Sequence, residues 1–181
     1  MDISKWEEII RFERREKDEF FKLHSQSPLS SEDRRKFSGL DYYLPDPDYR
    51  FELRLLEHAH KDILTIEDTQ GNDREYLIWG EFEFTIDNTT CKLQAYKSSP
   101  KEERLFIPFR DETSGKETYG AGRYLDIDRE EHQTPQRNWI LDFNRAYNPW
   151  CAYSDRYACP FVAPENWLKV TIFAGEKNYS I

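Results

Sequence analysis

The 181-residue chain contains only two valines, one methionine, seven glycines and three cysteines, and it has no apolar run of 18 residues. Without such a run no membrane-spanning helix is expected. The N-terminus, Met1-Asp2-Ile3-Ser4-Lys5-Trp6-Glu7-Glu8, lacks the basic-then-apolar order of a secretory signal. Three cysteines without an export signal do not form a disulfide framework, so a cytoplasmic protein with free thiols is expected. Excess positive charge is also missing. With 26 basic against 35 acidic side chains the net charge is −9, which argues against a partner held by bulk electrostatics, whether nucleic acid or anionic membrane. Residues 1–37 are neutral overall, so the whole deficit lies in residues 38–181. That acidic part presents either a solvated surface or one that attracts cations.

Catalytic signatures are scarce. There is no G-x-S-x-G and no G-x4-G-K-[ST], and His24, His58, His60 and His132 fall in helix, in loops or at a strand end, outside any nucleophile motif. His58 and His60 form an H-x-H in a polar turn, too little for a metal site to be expected, and no cofactor is expected either.

What the chain does have is rings: twelve Phe, eleven Tyr and five Trp. These must supply the buried area that valine does not. Phe, Leu, Ile and Val together make about 22% of the residues, just above the level at which disorder is expected. One folded domain over residues 1–181 follows, with residues 1–38 a helical extension packed on a β-rich part over residues 39–181.

Trp6, Ile9, Ile10, Phe20 and Phe21 recur at helical spacing after Ser4 and Glu7, which have the form of a capping box. Pro28 ends this helix, and Ser30 to Phe37 forms a second, with acids first and bases last. Beyond Leu44-Pro45-Asp46-Pro47-Asp48 the period changes to two. Strands are predicted at Tyr49–Leu55, Ile63–Thr69, Tyr76–Ile86, Cys91–Tyr96, Leu105–Phe109, Arg123–Asp128, Trp139–Arg145 and Trp167–Ala174. Tyr76, Ile78, Gly80, Phe82, Phe84 and Ile86 are assigned to one face of the third strand, with Gly80 as a bend or bulge. Pro108 removes a ladder donor and places its strand at an edge or a bulge. The expected fold is mainly β, an antiparallel barrel or sandwich of about eight strands preceded by two N-terminal helices.

Two loops carry more polar and glycine residues than connection requires. In Arg110 to Tyr124, three glycines accompany Arg110, Asp111, Thr118, Tyr119 and Arg123. The arginines can each grip a carboxylate or phosphate, or form a structural ion pair with Asp111 or Asp142. In Asp142 to Tyr153, Asp142 and Asn144 share one strand face, and Asn148 sits in the following turn. If that face is interior, both need partners; if exterior, they are surface residues. Cys151 and Cys159, spaced C-x7-C, are packed structural thiols, a redox-sensitive disulfide or half of a metal site. Cys91 alternates with polar residues as a small core hydrophobe.

Several of these runs resemble one family. Gly39-Leu40-Asp41-Tyr42-Tyr43 with Pro45-Asp46-Pro47, Phe106 to Asp126, Leu141 to Tyr153, Cys159-Pro160, Pro164-Glu165-Asn166 and Ala174-Gly175-Glu176-Lys177 are similar to the domain of unknown function 1684 family. The resemblance covers nearly the whole chain and departs at Trp150, where the family pattern has a second proline. It implies no activity. It does place both polar loops and both loop cysteines within the family's motifs.

The leading expectation is a small polar or anionic molecule bound in a barrel-like pocket by Arg110, Asp111, Thr118, Tyr119, Arg123, Asp142, Asn144, Asn148 and Tyr153. Two others stand beside it. One is a hydrolase or isomerase using Asp111 or Asp142 as acid or base; the other is an interaction module docking a partner through the N-terminal helices.

Overall fold

The structure is a computed structural model and describes residues 1–180. Helix α1 spans Ile3–Leu23 and is capped by Asp2, whose carboxylate accepts the Lys5 N–H at 3.2 Å. Ser4 therefore lies inside the first turn, and Glu7 pairs along the helix with Arg11 instead of closing a capping box. Trp6, Ile10 and Phe21 form its buried stripe. Helix α2, Ser31–Lys36, is capped as expected by Ser30, which accepts from Asp33 N–H at 3.0 Å. A one-turn helix α3, Arg129–His132, lies between the last two strands.

The β part comprises β1 (Arg50–Leu53), β2 (Leu56–Glu57), β3 (Ile63–Glu67), β4 (Asp73–Ile86), β5 (Thr89–Lys97), β6 (Leu105–Phe109), β7 (Arg123–Ile127) and β8 (Trp139–Asp142). All pairings are antiparallel and fall into two sheets. One runs β2-β4-β5-β6-β7 with β3 also on β4, and the other is β1-β8. Among the described residues the larger sheet does not close, so the barrel alternative is not formed: β7 finds no strand partner beyond β6. Rings from both sheets meet in the core. Phe51 and Phe143 lie 5.0 and 5.5 Å from Phe84, and Phe109 lies 5.1 Å from Phe143.

The bulge at Gly80 divides β4. Ile78 pairs with Tyr96 and Gly80 with Ala95, so the alternation shifts by one residue across Trp79. Phe82, Phe84 and Ile86 fill the core, whereas Tyr76 joins Tyr96 and Phe106 on the opposite face. The single face expected from Tyr76 to Ile86 is thus two faces.

Two further departures share one cause. Strand β6 is not an edge, although it contains Pro108. Instead β5 and β6 keep only the Tyr96–Phe106 pairing, and the Asn166 amide fills the gap. It donates to Gln94 O at 2.9 Å and Pro108 O at 2.8 Å, while its Oδ1 accepts from Gln94 N–H at 2.8 Å. Likewise Trp167–Ala174 alternates in burial at Leu168, Val170, Ile172 and Ala174, yet joins no ladder as a strand. Polar side chains take the place of the neighbour it lacks.

Candidate functional site

Arg123 begins β7 with its side chain fully inaccessible, 0% exposed. Its guanidinium donates to the carbonyls of Ile172, Ala174 and Glu176 and, through Nη2, to Asp111 Oδ1 at 3.3 Å. Alternate carbonyls of an extended chain face one way, and here the planar fork reads three of them as a strand would. Asp111 completes the mimicry by accepting Ile172 N–H at 2.8 Å on Oδ2. Thr113 donates its hydroxyl proton to Asp111, so Thr118 donates to Thr113 at 2.8 Å. Burial lowers the Arg123 pKa and the Asp111 charge opposes that fall. Arg110 stands apart, with its guanidinium 4.8 Å from the centre of the Trp167 ring and its backbone bonded to Asn166 O and Leu168 N–H.

Asn148 and Tyr153 converge on a residue of the Ala174-Gly175-Glu176-Lys177 run. Glu176 is fully buried and accepts from Tyr153 O–H at 2.7 Å, from Asn148 N–H and from Lys17 Nζ at 3.1 Å. Asn148 Nδ2 also donates to Lys177 O at 2.8 Å. Gly175, at φ +78°, makes the approach possible, because a Cβ there would lie 2.7 Å from the carbonyl oxygens of Phe143 and Ala146.

Asp142 and Asn144 face inward and share a third network. Asp142 accepts from Trp6 Nε1 at 2.7 Å and from the Asn144 backbone and side chain at 3.0 and 2.9 Å. Asn144 in turn accepts Asp46 N–H and donates to Asp46 O, both at 2.8 Å. Arg145 grips Glu13 of α1 through two bonds of 2.8 and 2.9 Å. Asp142 therefore pairs with α1 and not with Arg123, and it shares no partner with Asp111.

Between α1 and these loops lies a cleft of about 270 Å³, lined by Glu13, Arg14, Lys17, Tyr42, Glu131, His132, Asn144, Arg145 and Tyr147 with Ile10 and Ala146. Arg14 donates to Tyr43 O and Asn144 O at 2.7 and 3.2 Å and sits 4.4 Å from the centre of the Tyr42 ring. Its Nε and the Tyr42 hydroxyl are buried with no partner among the described residues. Burial lowers the Arg14 pKa, and burial with Glu176 and Asp18 nearby raises that of Tyr42. A second cleft of similar volume, on the far face of the larger sheet, is walled by Tyr76, Tyr96, Phe106, Tyr124 and Tyr147. There several polar groups are already paired: Tyr147 O–H donates to Asp126, Tyr124 O–H to Pro160 O, and Arg104 meets Asp126, while Lys97 lies 3.9 Å from the centre of the Trp79 ring.

All three cysteines are free thiols. Cys151 N–H points at Cys159 Sγ at 3.4 Å, and Tyr119 Oη lies 3.7 Å from Cys151 Sγ. Asp128, Glu131 and His132 place ligand atoms within 4.8 Å of one another. These groups have local duties, since Asp128 caps Glu131 and its N–H donates to His132 Nδ1. His58 bonds Gln94 at 2.8 Å.

Residues 35–177 match the family model described as a protein of unknown function, DUF1684. The chain belongs to this family. No curated protein matches it. Among solved structures it is similar to the solution NMR structure of the uncharacterised protein from gene locus rrnAC0354 of Haloarcula marismortui, at 37% identity. The likeness covers 97% of this chain and 96% of that one, with a TM-score of 0.73. The DUF1684 match begins within α2, so the cleft joins side chains of α1, outside it, to Tyr42, Asn144 and Arg145 inside it. Within the matched residues, Asp111, Arg123, Asn166 and Glu176 all lie in buried networks.

Sequence reasoning missed Arg14, Lys17, Tyr42 and Arg145 as cleft residues. The signal was present but ambiguous: Arg14 and Lys17 lie one turn apart beside the buried stripe of α1, where charge ordinarily marks a solvated face.

Proposed function

We propose that the protein binds a small polar or anionic molecule, one carrying a carboxylate or phosphate group, in the cleft beneath α1. The observation that carries this is the pair of buried, unpartnered polar atoms, Arg14 Nε and Tyr42 Oη, in a cleft also lined by Lys17 and Arg145. A buried polar group without a partner costs about 1–3 kcal/mol, and a ligand oxygen accepting from both removes that cost. Of the carboxylates lining the cleft, Glu13 is engaged by Arg145 and Glu131 is exposed at the rim, while Glu176 behind the lining is held by Lys17 and Asn144 is fixed by Asp142. Of the residues expected to contact a ligand, Asn144 lines this cleft, and Asp142 and Asn148 support its walls. The fully buried Arg123 and Asp111 do not line it and bond to the Ile172–Glu176 segment instead.

Thermal-shift titration with inorganic phosphate and citrate tests this reading in wild type and Tyr42→Phe. Removing an unpartnered hydroxyl leaves the unliganded protein as stable as before or slightly more so. It weakens the ligand-dependent stabilisation, which for one site reaches about 2.7 kcal/mol at a hundred times Kd. Absence of any shift with either anion, or an identical shift in Tyr42→Phe, would remove the cleft from consideration.

A further inference from the structure

The motif cysteines lie outside that cleft and form a constellation of their own. Cys151 follows Pro149 and Trp150 in a single helical turn, and Cys159 closes the loop that returns to the sheet. The backbone at Cys159 is fixed by the β3–β4 turn: Thr69 N–H donates to Cys159 O at 3.0 Å, and Cys159 N–H donates to Thr69 Oγ1 at 3.2 Å. Thr69 Oγ1 also holds Tyr157 O at 3.2 Å. Donors converge on one sulfur. Cys159 Sγ faces the N–H of Cys151, the N–H of Trp150 and the Cys151 thiol. Cys151 Sγ meets the phenol of Tyr119. The other charged or titratable groups facing Cys159 are Arg74, Tyr124 and Tyr147.

We propose that Cys151 and Cys159 are a redox-active dithiol, with Cys159 the nucleophile and Cys151 the resolving thiol, which hydrogen peroxide converts to an intramolecular disulfide. The Cys159 thiolate attacks one peroxide oxygen; the O–O bond breaks, and the departing hydroxide takes a proton from solvent and leaves as water. Cys159 is then a sulfenic acid. Cys151 gives up its proton and attacks the Cys159 sulfur; the S–O bond breaks, and the departing hydroxide takes up that proton and leaves as a second water. Two thiols are oxidised and one peroxide is reduced to two waters. The hydrogen bond from the Cys151 thiol, opposed by burial and aided by the two backbone N–H groups, pulls the Cys159 pKa down, while the same hydrogen bond pushes Cys151 up. The geometry assigns the roles: Cys159 Sγ takes the Cys151 N–H at 3.4 Å, whereas Cys151 Sγ meets the Tyr119 phenol at 3.7 Å. Cys159 is only 8% exposed, so a small oxidant suits the site better than a protein disulfide. Cys91, buried and donating to Thr89 O at 3.6 Å, has no second thiol beside it among the described residues and is the internal control.

Reduced full-length protein, treated with one equivalent of hydrogen peroxide and mapped by mass spectrometry, should lose about 2 Da and yield a Cys151–Cys159 linked peptide that dithiothreitol reverses. Cys91 should stay unmodified. In Cys151→Ser, dimedone should trap sulfenic acid at Cys159, and in Cys159→Ser it should trap none at Cys151. The iodoacetamide rate at Cys159 should reach half its maximum below the ordinary thiol value of about 8.5. Oxygen adducts spread over all three cysteines, a linked peptide only between molecules, or equal alkylation of Cys91 and Cys159 at neutral pH would overturn the proposal. The wild-type map decides this even if a serine variant fails to fold.

Discussion

Arg123 shows why residue chemistry alone pointed to a ligand. A guanidinium is suited to oxyanions, but it is suited equally to three carbonyls in a row, and the fold supplies those at Ile172, Ala174 and Glu176. Lysine cannot reproduce the planar fork. Arg123→Lys should therefore lower stability by about 2–4 kcal/mol, the cost of leaving one or two buried carbonyls unpaired, as measured by urea unfolding. Asp68, in the β3–β4 turn, gives a pH-dependent counterpart. Its burial would raise the carboxyl, but the N–H groups of Asn72 and Gln70, with Arg74, outweigh that and hold it at about 2. The folded pKa lies below the unfolded value of about 3.9, so the stabilisation is present above that value and fades as pH falls through it toward 2. The stability gap between wild type and Asp68→Ala should thus narrow between pH 5 and pH 2, both taken as about those values. A gap independent of pH would contradict this.

At the scale of elements, period-two patterning located the strands but not their neighbours. The hairpin of β4 and β5 was legible because Asp87-Asn88 supplies the positive φ angles, 48° and 60°, of a tight turn. The face switch at Gly80 was not, because one extra residue inverts an alternation that otherwise reads as continuous. Trp167–Ala174 has the burial pattern of a strand with its ladder replaced by Asp111 and Arg123, a substitution no local pattern records. Inward-facing Asp142 and Asn144 were legible as a pair needing partners; that Trp6 would be one was not, across 136 residues. Gly122 marks the loop's tightest point, at φ +102°, where a Cβ would lie 2.6 Å from Phe109 O and 2.7 Å from Val162. Gly122→Ala should cost at least ~1–3 kcal/mol from backbone strain alone. Thermal unfolding would show it as a lower Tm, whereas Gly71→Ala, with open space around its Cβ but φ +80°, should cost less.

At the scale of the whole molecule, α1 is part of the structure that holds the β domain together. It buries Trp6, Ile10 and Phe21, donates to Asp142, pairs Lys17 with Glu176, and lets Asp18 accept Leu40 N–H at 2.9 Å. Each large apolar side chain contributes about 1.5–3 kcal/mol. Each buried acceptor left bare costs about 1–3 kcal/mol more. The sum is comparable to the total stability of a domain. Deleting residues 1–37 should consequently abolish cooperative unfolding, as followed by near-UV circular dichroism. A docking module with dispensable helices would keep its cooperative transition.

The same arrangement separates residues that stitch the fold from those that line the cleft beneath α1, where the proposed ligand would bind. Nitrogen-15 NMR titration of the full chain with citrate tests that division most directly. Shifts concentrated at Arg14, Tyr42, Asn144 and Arg145, with Arg110, Tyr119 and Arg123 unmoved, are the expected result. Shifts centred on the loop from Arg110 to Arg123, or none at saturating citrate and phosphate, would contradict it.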